Sequence, residues 1–279
     1  MITVNSLSGG KTSSYIAANY PADYNVFALV RTNDKNCLYP DKKIRQEVSD
    51  RLGTEFIGTL EDDVIIETML DLEQFIGKKI DWVTGITFDK VVDTKGGWLP
   101  SKLRRFCTTE MKVKPIMQWW QKEINEVVEM RIGFRANEMR RANSLNKKLI
   151  NGIQRSKFVI GKNAKNLKWA ELDWRKPTYP LISKEKPIFK DDIENYWKDK
   201  TVKFASLNNC VGCFHRNEIL LKKMWETNKN KMQWFEKQEQ KGKGTWKEDV
   251  NYKQIKEWKL QTELSFNDFS DCDSGYCGL

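Results

Sequence analysis

Short apolar runs alternate with stretches of helical spacing through the first half of the chain. Residues 2–5, Ile-Thr-Val-Asn, read as a strand, and a Ser/Gly-rich turn at 6–10 leads into a short helix over 12–19. Residues 25–30, Asn-Val-Phe-Ala-Leu-Val, form a compact apolar run suited to a strand buried on both faces. Residues 41–52 carry Ile44, Val48 and Leu52 on one side of a helix; 55–60 read as a third strand, 61–75 as a helix and 127–133 as another strand. Strands alternating with helices predict an α/β fold with a Rossmann-like, mostly parallel sheet and helices on both faces. In such sheets ligands bind outside the carboxyl ends of the strands. Farther on, residues 218–240 place Leu220, Leu221, Met224, Trp225, Trp234 and Phe235 among Lys and Glu, which reads as helix, and 241–245 as a loop. With no internal repeat or low-complexity linker, the expectation is an α/β domain over 1–200 with a smaller helical, cysteine-bearing region over 201–279 packed against it.

Composition narrows the class. In 279 residues, 39% are hydrophobic and 31% charged, enough apolar content to bury a core. No apolar run approaches the roughly 18 residues of a membrane span, so no membrane partner is expected. The first residues lack a basic region followed by a long apolar stretch, which points to a cytoplasmic protein. In that setting six cysteines read as thiols, metal ligands or redox groups rather than a disulfide framework. The net charge of +10 is concentrated: residues 102–176 hold 19 Lys and Arg against 7 Asp and Glu. A basic centre suits a polyanionic partner such as nucleotide phosphates, sulfate or nucleic acid.

The sharpest local signal is Ser6-Leu-Ser-Gly-Gly-Lys-Thr-Ser-Ser14, directly after the first strand. A strand, a Gly-rich turn and a helix start aim backbone N–H groups at an anion, with the helix dipole assisting. Gly9 and Gly10 admit close approach of phosphate oxygens; Ser6, Ser8, Thr12 and Ser13 add hydroxyls and Lys11 a charge. A Walker A loop needs a glycine five residues before its final glycine, and Asn5 stands there.

The turn resembles the PP-loop of the ATP-pyrophosphatase superfamily, Ser-Gly-Gly-x-Asp-Ser, with Thr12 at the Asp position as in phosphoadenosine phosphosulfate (PAPS) reductase-like members. Three further segments follow in the family's order. Arg104-Arg-Phe-Cys-Thr-Thr-Glu-Met-Lys-Val-Lys-Pro115 is similar to its Arg-x-Cys-Thr-x-x-x-Lys-x-x-Pro, and Gly133-Phe-Arg-Ala-Asn-Glu-Met-Arg140 to its Gly-x-Arg-x-x-Glu-x-x-Arg. Tyr179-Pro-Leu-Ile182 with Asp191-Asp-Ile-Glu-Asn-Tyr-Trp197 is similar to its Pro-Leu…Asp-Ile-x-x-Tyr. The resemblance spans residues 1–200. It implies an adenine-nucleotide site built from the 6–13 loop, from Thr32, Asn33 and Asp34 after the second strand, and from Arg104, Arg105, Lys112, Gly133, Arg135 and Arg140. Guanidinium forks suit phosphate and sulfate oxygens.

Cys210-Val-Gly-Cys213 is a C-x2-C pair, and Cys272 and Cys277 are spaced C-x4-C. Two such pairs would close a tetrahedral zinc site. The resemblance implies another set, Cys107, Cys210, Cys213 and one of Cys272 and Cys277 around a [4Fe–4S] cluster; unligated thiols are the third reading. The ending Tyr276-Cys-Gly-Leu279 resembles the terminal Glu-Cys-Gly-Leu/Ile-His of PAPS reductases, with Tyr in place of Glu and no following His. This implies Cys277 as a thiolate nucleophile toward a sulfonucleotide, with Lys11 as the second catalytic candidate. Cys37 reads as structural or incidental, and His215 as a local hydrogen-bonding or exposed residue; the spacing of Trp119, Trp120, Trp225, Trp234 and Trp258 suits core packing, with stacking on unpaired bases as the alternative for any that is exposed.

Two chemistries follow from the resemblance. One is thiol-dependent reduction of a PAPS- or APS-type sulfonucleotide, which needs a thiol reductant. The other is ATP-pyrophosphatase-type adenylation for sulfur or amide transfer, as in DNA phosphorothioation-like enzymes, with Mg accompanying ATP and a sulfur donor as partner. A non-catalytic nucleotide- or nucleic-acid-binding protein is the alternative from another class.

Overall fold

A computed structural model describes residues 1–163, 166–207 and 210–259. The strands are β1 (Thr3–Leu7), β2 (Tyr24–Leu29), β3 (Asp81–Thr84), β4 (Val128–Arg131), β5 (Gln154–Asn163) and β6 (Asn166–Thr178). They form one six-stranded sheet in the order β3-β2-β1-β4-β6-β5. Every neighbouring pair is parallel except β5 and β6, an antiparallel hairpin at the sheet edge. The expected α/β class with a mostly parallel sheet is what the chain adopts.

The helices are α1 (Lys11–Asn19), α2 (Lys42–Leu52), α3 (Val64–Ile76), α4 (Phe88–Thr94), α5 (Phe106–Thr108), α6 (Lys114–Glu123), α7 (Met139–Asn146), α8 (Lys190–Trp197), α9 (Glu218–Thr227), α10 (Lys229–Lys241) and α11 (Tyr252–Glu257). One face of the sheet packs Leu7, Phe27 and Leu29 against Ile16, Ile65, Met69 and Trp197 from α1, α3 and α8. The other packs Val4, Val26 and Met130 against Ile116, Trp119 and Trp120 of α6 with Phe158 and Trp174 of the hairpin. A third cluster joins Val91 of α4, Met111 and Leu60 to Leu221, Trp225, Trp234 and Phe235, so the C-terminal helices share a core with the α/β part. No helix among the described residues is long and apolar enough to cross a membrane.

Several expected elements differ. Residues 55–60 are not a sheet strand: Gly58 makes only isolated bridges to Thr32 and Leu38. A Cβ on Gly58 would run into the Cys37 carbonyl, so the segment crosses the 31–39 loop at close range instead of extending beside β2. That slot belongs to β3, which pairs Phe27 with Trp82 and stacks their rings edge-on at 5.1 Å. Four residues are too few for alternation to mark. The expected helix over 61–75 begins only at Val64, and that over 218–240 is interrupted at Asn228, whose φ of −129° is not helical. Of the tryptophans expected in the core, Trp258 is instead 39% exposed.

Candidate functional site

β1 has parallel neighbours on both sides. The chain leaves it through α1 to β2, then β3, and returns only afterwards to β4 on the opposite flank. Successive connections therefore diverge at the carboxyl ends of β1 and β4, and this divergence opens a crevice in doubly wound sheets. Ser8-Gly9-Gly10 stands on one side and Gly133-Phe134-Arg135 on the other. They come together closely: a Cβ on Gly133 would lie 3.4 Å from Thr12 Cγ2 and 3.5 Å from the Ser13 nitrogen.

The turn is held in shape by its own groups. Gly9 has φ +80°, which favours glycine, and a Cβ there would strike Cγ2 of Ile65 in the first turn of α3. The Ser8 N–H donates to Ser13 Oγ at 3.1 Å, Ser13 Oγ donates to the Gly10 carbonyl at 3.1 Å, and the two seryl oxygens are 3.2 Å apart. Ser13 is thereby occupied in bracing the loop. Ser14 N–H makes the first intrahelical bond, to Gly10 O at 3.1 Å, and no side chain caps the helix. The amides of Lys11, Thr12 and Ser13 precede the helical ladder, at the end carrying about +0.5 of a charge from the aligned peptide dipoles. Lys11 leans toward α8, with Nζ 3.9 Å from Glu194 and its carbonyl accepting the Trp197 indole N–H at 3.0 Å. Ser6 lies within β1, paired with Val26.

The loop after β2 is also fixed. Thr32 Oγ1 donates to Asp89 Oδ2 at 2.8 Å and the Asn33 N–H to the same oxygen at 2.9 Å; the other oxygen accepts the Trp234 indole N–H at 2.7 Å. Asp34 caps the following turn by accepting the Asn36 N–H at 2.8 Å. Thr32 is buried and Asn33 exposed.

The basic residues divide into two groups. Arg135 Nε donates to Glu138 at 3.1 Å, Arg141 donates to the same carboxylate at 2.6 Å and lies over the Phe134 ring, and Arg140 is exposed. Burial opposes ionisation of Glu138, but the Arg135 N–H and both guanidinium charges hold its carboxyl below the usual range. Farther round the strand ends, Arg104 is exposed with its guanidinium 5.5 Å from the centre of the Trp98 ring. The charge of Arg105 acts on Cys107 and His215. Lys112 places Nζ 2.8 Å from Glu61 Oε1.

Three of the predicted cysteines converge beside that ion pair. Cys107 is in α5, brought to the end of β3 because Gly85 leaves room for the 110–111 backbone. Cys210 bridges Glu61, and the Val211 N–H donates to the Leu60 carbonyl at 2.9 Å. Cys213 N–H turns back to the Cys210 carbonyl at 3.1 Å, around Gly212, whose Cβ position is filled by the Phe235 ring. Burial, then the neighbouring Cys213, pushes the Cys107 thiol up to about 11; burial and Glu61 raise Cys210 strongly. Soft thiol donors suit zinc or iron–sulfur chemistry. Among the described residues, however, no three His, Cys, Asp or Glu side chains are spaced to hold a metal ion. Cys272 and Cys277 lie outside the described residues. Cys37 is buried.

Glu61 and Asp89 emerge only from the structure. Their partners lie far away in sequence for the most part, 51 residues for Lys112–Glu61 and 145 for Trp234–Asp89, so no local motif could mark them. Neither a family model nor a curated protein matches the chain.

Proposed function

We propose that the protein is a PAPS reductase-like enzyme of PP-loop type that binds an adenine nucleotide, its anionic tail on the β1–α1 turn. The observation that carries this reading is the contact of Gly133 with Thr12 and Ser13 at the sheet's switch point. It joins two segments that the family resemblance assigns to one phosphate site, although they are 120 residues apart in sequence. Backbone amides at the start of α1 would bind the phosphate or sulfate oxygens, and Arg135 and Arg140 would offer charge from the β4 side. Thr32-Asn33-Asp34 would meet the nucleoside.

The reaction we favour is thiol-dependent reduction of a sulfonucleotide. The Cys277 thiolate would bond to the sulfonate sulfur, the nucleotide phosphate would leave, and an external thiol reductant would release sulfite. A second reading, ATP-driven adenylation for sulfur transfer, draws support from the convergence of Cys107, Cys210 and Cys213. Raised thiols are poor nucleophiles at neutral pH and become thiolates when they ligate a metal. Zinc or an iron–sulfur cluster held by them and a tail cysteine belongs to this reading.

The test is titration with ATP and with PAPS, monitored by calorimetry, followed by assay of sulfite and pyrophosphate. Gly10→Val combined with Lys11→Ala is expected to abolish nucleotide binding with an unchanged circular dichroism spectrum. Unchanged affinity in that variant would remove the phosphate-loop assignment. Sulfite release favours reduction, and pyrophosphate release favours adenylation. Metal analysis of anaerobically purified protein separates zinc from iron.

A further inference from the structure

The β5–β6 hairpin has chemistry that the nucleotide site does not use. Its inner half belongs to the core, with Phe158 against the Trp120 ring at 5.0 Å and Trp174 buried beside it. Its outer half is different. Residues 157–170 contain four lysines and no acidic residue. Cross-strand register pairs Val159 with Trp169 and Lys162 with Leu167, and alternation puts both pairs, with Lys157, on the face turned away from the core. Trp169 is 54% exposed and Leu167 52%. Lys168, paired with Gly161, extends the charge to the opposite face. Glu171 stands opposite Lys157 at the inner end of the same face, and Asp173 is taken by Arg155 at 2.8 Å.

An exposed indole costs solvation free energy, and lysines around it repel one another; a ligand that is both flat and anionic relieves both. We infer that the outer β5–β6 ribbon binds single-stranded nucleic acid, one base stacking on Trp169 while Lys162, with Lys157 at the inner end of the same face, meets the flanking phosphates. Non-specific single-strand binding combines these two elements, a stacking aromatic and a basic track along the backbone. Lysines on an edge strand also discourage edge-to-edge pairing, but that role leaves an exposed tryptophan unexplained. The inference is independent of the phosphate loop.

The experiment uses the full chain and a dye-labelled oligothymidylate, read by fluorescence anisotropy without added nucleotide. Trp169→Ala is expected to weaken binding roughly 5- to 150-fold, corresponding to about 1–3 kcal/mol of stacking, and Trp169→Phe to restore most of it. Lys157→Gln with Lys162→Gln should flatten the salt dependence by about 0.7 in log–log slope for each lost phosphate contact. Gly10→Val with Lys11→Ala should leave oligonucleotide binding intact, which separates this proposal from the nucleotide reading. The inference is overturned if the oligonucleotide does not bind, or if duplex DNA binds as tightly and Trp169→Ala has no effect. Binding to phosphatidylserine vesicles in place of the oligonucleotide would overturn it too, as would lysine variants that self-associate with unaltered oligonucleotide affinity.

Discussion

The Lys112 ammonium lies 2.8 Å from Oε1 of Glu61, a carboxylate whose side chain is 1% exposed. Lys231 donates to the backbone carbonyl of the same glutamate at 2.6 Å and to Asp63 at 2.7 Å, so two buried or nearly buried cations converge on the turn at 61–63. Removing one partner of a buried pair strands the other charge, at a cost of about 3–5 kcal/mol. Lys112→Ala is therefore expected to lower the urea midpoint markedly. Lys112→Met combined with Glu61→Gln should recover most of the loss, because no unpaired charge remains. Equal destabilisation in the single and double variants would show that the pair does not act as a unit.

Gly9 and Ile65 make a second coupled pair. Gly9→Ala meets a positive φ and a methyl group already in place, and strain of this kind costs on the order of 1–3 kcal/mol. Ile65→Ala removes the obstructing methyl at the expense of a core cavity. In a double-mutant cycle the combined loss should fall short of the sum of the two single losses, leaving only the backbone strain unrelieved. Strict additivity would mean that the two residues do not touch.

The thiols of the buried Cys37 and the half-buried Cys107 set an alkaline limit. Burial, together with Asp34, pushes Cys37 up from 9.0 to about 12, and Cys107 rises from 9.0 to about 11. The unfolded chain releases these protons first, so their contribution to stability is complete below pH 9.0 and is lost as pH climbs through 11 and 12. Iodoacetamide at pH 8 should alkylate both cysteines far more slowly in the native protein than in urea. Native rates equal to denatured rates would contradict the burial.

His215 sets an acid limit of the opposite sign. Burial first, then the charges of Arg105, Lys102 and Lys247, pushes its imidazole down from 6.5 to about 4. The unfolded chain takes up the proton first, so the stabilisation present above pH 6.5 is lost as pH falls toward 4. Thermal unfolding of the native protein should weaken between pH 7 and pH 4.5 more than that of His215→Gln. Parallel pH profiles would sink the assignment.

Hydrophobic patterning marks three of the parallel strands, β1, β2 and β4, to within two residues at each end: β2 is a compact apolar run, and β1 and β4 are short segments with alternating apolar positions. The β1–α1 turn is legible as well: Gly9 and Gly10 follow a short strand and precede helical spacing. The apolar run at 55–60 misleads, since Phe56 and Leu60 are buried as a connection would bury them, with no ladder beyond Gly58. The hairpin is hidden because its outer half exposes Ile160, Leu167 and Trp169, which break the apolar-in, polar-out alternation of a half-buried strand.

Local order along the chain marks β1, β2 and β4, where the amides of a helix start are offered, and which stretch is basic. Those properties arise from neighbours a few residues apart, and the sequence determines them unaided. Packing alone decides that Lys112 turns to Glu61, that Asp89 ties Thr32 to Trp234, and that Cys107 meets Cys210 and Cys213. Each of these contacts joins residues about fifty or more positions apart, and is selected by which charges and thiols the folded core can bury together.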